Sequence, residues 1–290
     1  MRKTTASVVV LTASFALVGA ACASNSSEGA GSTAAPTSAS VAPTVETIDP
    51  GFITVGSCLD YAPFETVKGG EPVGFDIEMT DAIAAKLGYE GKVKWVKANF
   101  NTIFTAVANG QFDLVAAAVT ATGDTGAERA QTVAFSNYYY DSLLSLSVNP
   151  TDSPDITSPD QLGSGDSVGV QKGSTGAQWA IDNLKPAGVE IRTFTSATDA
   201  FRDLSAGNVT GVINDQSSSY AIAESMTDVE VVAPIDTNEK YAFAFAPANT
   251  ALVSAWNDGL QQVIDDGQYA TIFDKYFPGT PVPEAYQAAA

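Results

Sequence analysis

The chain has 290 residues, of which 45% are hydrophobic and 9% aromatic, so it can bury one large core or two ordinary ones. It carries 33 Asp and Glu residues against 14 Lys and Arg and no His, which gives a formal charge of -19 at pH 7. Because such a surface repels nucleic acid and anionic lipid, and no basic cluster offsets it, we predict no nucleic-acid partner.

The first residues are typical of an export signal. Two basic residues precede a short apolar run, 8–18, that ends in small residues and is too short to span a membrane. Cys22 follows two alanines, as in a bacterial lipobox, although Gly19 stands where an aliphatic residue is usual. We therefore predict a signal peptide over 1–21 and lipidation of Cys22. The alternative is ordinary secretory cleavage after Ala23.

The next segment, 22–47, is rich in Ser, Ala, Thr, Gly and Pro and is predicted to be a flexible tether. With Cys22 lipidated, the protein would be extracytoplasmic and anchored to the cell membrane; without lipidation it would be secreted or periplasmic. Cys58 then has no disulfide partner, and no His is present to activate it. We predict that Cys58 is a small buried core residue.

From residue 52 onward, short apolar runs alternate with helical periodicities, first before residue 150 and again after it. The patterns predict strands over 52–57, 93–96, 114–119, 168–170, 189–194 and 211–213, and helices over 75–87, 102–108, 176–184, 197–204, 252–264 and 269–276. Two further strand-like runs, 143–148 and 241–246, are predicted to cross between two similar units. This rhythm indicates an α/β fold with a largely parallel sheet.

These crossings divide the folded part into two predicted lobes. Lobe 1 comprises 48–142 together with 241–290, and lobe 2 comprises 143–240. A weak internal similarity supports the division, because a helix followed by Ala, Asn and Gly and then an apolar run occurs in each lobe.

Several short motifs occur in an order typical of one known family. They are Asp60 to Glu65, Gly74 to Glu78, Gly110 to Leu114, Glu128-Arg129 with Phe135-Ser136, Gly169 to Thr175, and Gly267 to Phe277. Over 52–277 the chain resembles the family 3 extracytoplasmic solute-binding proteins, the receptors of ABC importers for polar amino acids.

The resemblance implies a fold, a function and partners. The fold would be the periplasmic binding protein type II fold, in which two Rossmann-like α/β lobes are joined by two hinge strands and the ligand cleft lies between them. The protein would capture a small polar amino acid or similar zwitterion and deliver it to an ABC permease and its ATPase. It would act as a monomer without a cofactor, and it would not be an enzyme.

The same resemblance assigns roles to charged and hydroxyl residues. Burying either charge of an amino acid without a partner is costly, so a closed site needs a group for each. Arg129 would bind the carboxylate, helped by Thr120 and by the free N–H groups that follow Ser174 and Thr175 at a helix start. Asp215, on the strand of lobe 2, would bind the ammonium.

Tyr61 and Phe100 would supply aromatic surfaces for the body of the ligand. Each assignment has a structural alternative: Tyr61 and Phe100 could belong to the core, Asp215 could be the N-cap of a helix over 217–224, and Thr175 could only cap its own helix. Asp60 and Glu65 are interpreted as solvated loop acids, although either could meet a cationic ligand group.

The sequence departs from the family at two places. Ala117 and Ala118 stand where amino-acid binders often place serines, which makes that wall of the cleft apolar. The extra residues 123–127 place Arg129 seven residues after Thr122, where the family usually has a spacing of three. We favour an outward bulge that returns Arg129 to the cleft; the alternative is an Arg129 displaced to the surface.

Other functions remain open on the sequence alone. An enzyme on the same scaffold, such as a dehydratase of small cyclic acids, would use a cleft carboxylate as general acid or base, but no paired carboxylate motif stands out. A receptor for an organic cation that is not an amino acid would rely on the acid and the aromatic residues. With no His and one available Cys, we expect no transition-metal site.

Overall fold

The computed structural model describes residues 45–288. The predicted signal peptide, Cys22 and most of the predicted tether therefore lie outside the described residues. The strands are β1 Ile53–Ser57, β2 Thr66–Lys68, β3 Glu71–Val73, β4 Val93–Lys97, β5 Leu114–Val115, β6 Ala134–Val148, β7 Ser167–Gln171, β8 Glu190–Phe194, β9 Gly211–Asp215 and β10 Glu230–Phe245. The α-helices are α1 Phe75–Lys86, α2 Phe100–Ala108, α3 Gly123–Arg129, α4 Thr175–Asn183, α5 Ala197–Ser205, α6 Gln216–Ala223, α7 Thr250–Asp265 and α8 Gln268–Tyr276.

Eight of these strands form one sheet in the order β4-β1-β5-β10-β6-β9-β7-β8. The strands at each end of the sheet pair in parallel, β1 with β4 and β5, and β7 with β8 and β9. Each parallel set has helices between its strands, as the alternating pattern predicted. The α/β fold with a largely parallel arrangement in each lobe is therefore confirmed.

The two long strands β6 and β10 lie together in the middle of the sheet and pair antiparallel to each other. The last residues of β10, Ala244 and Phe245, pair with β5 of lobe 1. The last residues of β6, 144–148, pair with β9 of lobe 2. Both predicted crossings are therefore the ends of much longer strands, and register shifts interrupt their pairing between Ile235 and Glu239 and again after Tyr241.

The predicted strand 114–119 is shorter than expected and ends at Val115. Ala118 has a positive φ of 48°, which is incompatible with an extended strand. Its N–H donates to Asp76 Oδ2 at 2.8 Å, so a buried carboxylate holds this segment away from the sheet. The backbone that follows β5 is thereby turned toward the cleft.

The final helices pack against the first helix of the fold. Helices α7 and α8 both pack on α1. The aromatic rings of Phe273 and Phe277 lie against Phe75, at centroid distances of 6.0 and 5.1 Å. Over residues 45–288, every helix is too short or too polar to cross a bilayer.

Candidate functional site

One small cavity brings the predicted site residues together. It is lined by all seven of them, Tyr61, Phe100, Thr120, Arg129, Ser174, Thr175 and Asp215, and by Cys58, Glu65, Ala117, Ala118 and Gln171. Residues of both lobes contribute to it. Its volume of about 10 Å³ is the room that roughly one water molecule occupies. The lobes are thus closed against each other around this point.

Arg129 lies inside the cavity wall and not on the surface. The residues that were expected to form an outward bulge instead form the short helix α3, and Arg129 is its last residue. Its side chain is 7% exposed. Its guanidinium donates from Nη1 to the carbonyl of Thr120 at 2.8 Å and from Nη2 to the carbonyl of Gly173 in lobe 2 at 3.0 Å.

Helix α3 depends on a close approach at Gly126. A Cβ at this position would lie 2.3 Å from the carbonyl carbon of Ala121 and 2.5 Å from its oxygen. Only glycine allows the helix to fold back on the backbone that follows Val119. The seven residues of α3, about two turns of helix, therefore accommodate the longer spacing and return the guanidinium to the cleft.

The guanidinium also packs on two aromatic rings. Its central carbon lies 5.2 Å from the ring centroid of Phe100 and 4.9 Å from that of Phe104. Such stacking suits a planar, weakly hydrated cation. Burial lowers the pKa of Arg129 to about 10, although the negative charges of Asp215 and Glu239 act to raise it. Arg129 therefore stays positively charged at neutral pH.

Hydroxyl groups connect the two lobes beside Arg129. Thr175 Oγ1 donates to Thr120 Oγ1 at 2.9 Å, and Thr120 Oγ1 donates to Glu239 Oε2 at 2.7 Å. The N-cap of α4 is Ser174, whose Oγ accepts from the N–H of Ala177 at 3.0 Å. Thr175 is therefore not the capping side chain, and its hydroxyl is directed to the opposite lobe.

Asp215 ends β9 and faces Tyr61 across the cleft. The Tyr61 hydroxyl donates to the Asp215 carboxylate and also lies 2.9 Å from Asn214 Oδ1. Asp215 occupies the N-cap position of α6, but its side chain makes no capping hydrogen bond. The capping alternative for this carboxylate is therefore wrong, because the side chain points into the cavity.

The aromatic residues serve both the core and the cavity. Tyr61 is 7% exposed and Phe100 is 8% exposed, and both line the cavity wall. The ring of Tyr61 lies 6.2 Å from that of Phe64, in a stacked arrangement. The two alternatives given for these residues are thus compatible with each other.

The interpretation of Glu65 as a solvated acid is wrong. Glu65 is 0% exposed, because a bridge between Tyr61 and Glu65 folds this loop inward and turns the side chain into the cavity wall. Asp60, in contrast, keeps 38% of its side chain exposed and lies 3.7 Å from Lys97. Burial and the negative charge of Asp76 raise the pKa of Glu65 well above its usual range.

A second acid was missed by sequence reasoning altogether. Glu239 lies on β10, is 3% exposed, and accepts hydrogen bonds from Thr120 and from Thr237 Oγ1 at 2.6 Å. Burial raises the pKa of Glu239, and burial together with the charge of Glu239 raises that of Asp215. The only sequence signal was an acid just before the apolar crossing at 241–246.

The site thus offers one buried cation and several buried acids to a small polar ligand. Cys58 is buried as predicted, at 5% exposure, and its thiol also borders the cavity. Burial raises the pKa of this thiol, which keeps it a neutral SH group. Among residues 45–288, no three His, Cys, Asp or Glu side chains are grouped so as to hold a metal ion.

Comparisons with known proteins identify the family to which the sequence is similar. A model of the bacterial extracellular solute-binding proteins, family 3, matches residues 53–279. The ABC transporter glutamine-binding protein of Bacillus subtilis is 29% identical over 215 residues, which cover 74% of this chain and 76% of that protein.

Solved structures show the same likeness. An ancestral arginine-binding protein bound to arginine has a TM-score of 0.72 and 33% identity, covering 78% of this chain and 98% of that one. An ancestral amino acid-binding protein, described as a precursor of cyclohexadienyl dehydratase, has a TM-score of 0.70 and 30% identity, covering 78% and 96% of the two chains.

Proposed function

The chain belongs to the bacterial extracellular solute-binding proteins of family 3, and from this membership we propose that it captures an amino acid or similar zwitterion for an ABC importer. The observation that carries the proposal is the pairing of opposite charges in one cavity: Arg129 comes from lobe 1 and Asp215 from lobe 2, and both line it. A zwitterion presents its carboxylate to Arg129 and its ammonium to Asp215, so it pairs with a charged side chain of each lobe at once.

The names of similar proteins support an amino-acid ligand. Those compared above bind glutamine, arginine or an amino acid, and one of them is a component of an ABC transporter. In each case the ligand is an amino acid, which carries both a carboxylate and an ammonium. We therefore assign Tyr61, Phe100, Thr120, Arg129, Ser174, Thr175 and Asp215 to the ligand-binding site.

Binding requires the lobes to open. A cavity of about 10 Å³ holds roughly one water molecule and no amino acid, so a ligand enters only when lobe 1 and lobe 2 separate. The register shifts in the β6–β10 pair, at Ile235 to Glu239, supply a place where the two long strands can bend. We propose lobe boundaries at 142/143 and 240/241, beside these irregularities, and closure on the ligand before delivery to the permease.

The family supports a position outside the cytoplasm. Family members are extracellular. We propose in addition that 1–21 is a signal peptide and that lipidated Cys22 anchors a monomer through the tether 22–47. Replacement Cys22→Ser in cells should release the protein from the membrane fraction, and continued membrane association would contradict the lipid anchor.

A thermal-shift screen of the mature protein against amino acids and related zwitterions tests the proposed function. A ligand present at a hundred times its Kd should add about 2.7 kcal/mol of stability, so binders stand out among the standard amino acids. If no amino acid or related zwitterion raises the melting temperature, the proposed function is wrong.

An enzyme on the same scaffold is the second candidate, because buried acids with raised pKa values are also typical of catalytic sites. Glu65, Asp215 and Glu239 all show such shifts. Recovery of each binding amino acid or cyclic acid unchanged after prolonged incubation would exclude it, and appearance of a dehydrated product would establish it.

A further inference from the structure

Glu239 is a buried acid that does not border the cavity between the lobes. It is 3% exposed, and the pocket that it lines, of about 270 Å³, shares only Thr175 with that cavity. Oε1 of Glu239 accepts from the hydroxyl of Thr237 at 2.6 Å, and Oε2 accepts from that of Thr120 at 2.7 Å. Because both oxygens accept, the side chain has the bonding of an ionised carboxylate. Among the described residues, no Lys or Arg forms an ion pair with it.

Backbone hydrogen bonds hold Glu239 beside Thr120. The N–H of Ala121 donates to the carbonyl of Lys240 at 2.9 Å, and the N–H of Lys240 donates to Thr122 Oγ1 at 3.0 Å. These bonds join the neighbours of Thr120 to the neighbour of Glu239. We therefore expect the two side chains to stay together when the long strands bend at the register shift that precedes Glu239.

A hydroxyl group has one proton, and this fixes the direction of the hydrogen bonds around Thr120. Thr120 donates its proton to Glu239, so its oxygen can only accept from Thr175, whose Oγ1 lies 2.9 Å away on α4 of lobe 2. The chain therefore runs from Thr175 through Thr120 and ends on the negative charge of Glu239. Hydrogen bonds to an ionised acceptor are stronger than neutral ones, and they strengthen the next bond in a chain.

This chain holds the start of α4. Thr175 is the first residue of that helix, and Gly173, two residues earlier, accepts from Arg129 Nη2 at 3.0 Å. Two hydrogen bonds thus join the same turn of lobe 2 to lobe 1. They keep the free N–H groups of α4 close to the guanidinium, where a ligand carboxylate would bind.

We propose that Glu239 is a positioning residue for ligand binding, which acts through Thr120 to hold Thr175 and the start of α4 against Arg129 when the lobes are closed. The inference rests on the proposed function and adds a residue that acts without touching the ligand. Because the lobes must open before a ligand leaves, loss of this hold should raise the dissociation rate and leave the association rate nearly unchanged. The factor should be the same for ligands with different side chains, since Glu239 does not line the cavity.

Stopped-flow kinetics on the mature protein measure this effect, with the standard amino acids tried singly as probes. Glu239→Leu removes both acceptor oxygens and should raise the dissociation rate of every binder by about fivefold. Glu239→Gln keeps one acceptor oxygen without the charge and should recover part of the loss. Asp182→Asn is the matched control, since it removes an exposed acid that lines the same pocket as Glu239, and it should keep the wild-type rates.

A double-mutant cycle separates positioning from a general structural role. Thr175→Val removes the hydroxyl that begins the chain, and it should raise the dissociation rate by about fivefold in the wild type. In Glu239→Leu the same change should raise it by only about twofold, because the bond to Thr120 is weaker without a charged acceptor behind it. Equal factors in the two backgrounds would show that Glu239 does not act through this chain, and would overturn the proposal.

Variants of Thr175 alone give a second measurement if Glu239→Leu does not fold. Thr175→Val removes the hydroxyl and Thr175→Ser keeps it, so their dissociation rates should differ by about fivefold near neutral pH. Burial raises the pKa of Glu239, and this acid loses its charge as the pH falls through that raised value. The ratio of the two rates should therefore decrease toward acid pH. The other ionisable groups around Glu239 are present in both variants and cancel in the ratio: Asp124 and Arg129 of α3, Asp182 of α4, Asp215 of β9 and Tyr241 of β10.

The outcomes separate this inference from the function on which it rests. An unchanged dissociation rate in a folded Glu239→Leu, or a ratio for the Thr175 variants that does not vary with pH, would overturn the positioning role and leave the amino-acid receptor intact. An effect of Glu239→Leu that differs between amino acids would do the same, because it would mean that Glu239 contacts the ligand. Failure of every amino acid to bind the wild type would instead overturn the proposed function, and the role of Glu239 with it.

Discussion

The guanidinium of Arg129 donates a hydrogen bond to the carbonyl oxygen of Gly173 at 3.0 Å and so joins two lobes that meet at the cleft. Gly173 lies just before Ser174, the N-cap of α4. The positive charge of Arg129 is therefore placed beside free N–H groups at a helix start, and both favour an anion at the same point.

We expect Arg129→Ala to weaken binding of a zwitterionic amino acid by about 2 to 5 kcal/mol, because the ligand carboxylate would be buried without its partner. Arg129→Lys should recover only part of the loss, since an ammonium lacks the planar fork. Titration calorimetry measures both. Arg202→Ala is the control, because Arg202 forms an exposed ion pair with Asp199 and should leave affinity unchanged. Full affinity in Arg129→Ala would show that the carboxylate binds elsewhere.

Asp215→Asn should weaken binding of amino acids by a similar amount and should also change its pH dependence. Burial and the charge of Glu239 raise the pKa of Asp215, so the wild-type carboxylate gains a proton as the pH falls through that raised value. Affinity for a zwitterion should therefore decrease toward acid pH in the wild type and vary less in Asp215→Asn. Glu224→Gln, at the exposed end of the following helix, should behave as wild type. Parallel pH profiles of the wild type and Asp215→Asn would contradict this role.

Gly126→Ala tests whether α3 places Arg129. The new Cβ would lie 2.3 Å from the Ala121 carbonyl carbon, so the helix must move, at a cost of about 1 to 3 kcal/mol of stability. The affinity for the ligand should fall as well, although Gly126 does not line the cavity. Gly163→Ala is a matched control, since its Cβ would have no atom within 4 Å. Wild-type affinity and stability in Gly126→Ala would mean that the close approach is unimportant.

Because of Asp76, the free energy of unfolding should decrease as the pH rises. Burial raises its pKa from 3.8 to about 6, against hydrogen bonds from Ala118 N–H and from Tyr139, which donates at 2.8 Å. The folded state therefore holds this proton more tightly than the unfolded state, and the advantage is lost as the pH rises from about 4 to above 6. A shift of this size corresponds to about 3 kcal/mol.

Urea unfolding of the wild type and Asp76→Asn between pH 4 and 7 isolates this effect. The free energy of unfolding of the wild type relative to the variant should decrease by about 2 kcal/mol over this range, since part of the effect is already lost at pH 4. Groups common to both proteins cancel in the comparison. A constant difference would show that Asp76 titrates normally in the folded state.

Much of the fold was predictable because it depends on local periodicity. The alternation of apolar runs and helical patterns identified all three strands at each end of the main sheet, and the helices α1, α2, α4, α5, α7 and α8. The strand 114–119 was overextended because its apolar residues satisfy a strand pattern. Its early end depends on Asp76, which is distant in sequence and bonds Ala118 N–H.

The site was predicted less completely, and for a definite reason. Residues such as Tyr61 and Asp215 follow or end strands, where ligand clefts of α/β proteins open, so their position in the chain indicated the cleft. Helix α3 was missed because its seven residues contain two glycines and a threonine, which favour helices weakly. Glu239 was missed because only the bridge between Thr120 and Tyr241 of β10, residues distant in sequence, brings it beside Thr120.

The sequence by itself determined the α/β architecture, the family and the residue types at the ends of the strands, because each depends on local patterns and on motifs in order. The tertiary structure decided which of those side chains share a cavity and how they are solvated. Arg129 returns to the cleft only because Gly126 lets α3 pack on Ala121. Glu65 and Asp60 belong to the same loop, but the folded loop buries Glu65 and leaves 38% of the Asp60 side chain exposed. Burial of this kind depends on how the chain packs, so the order of residues in the loop does not reveal it.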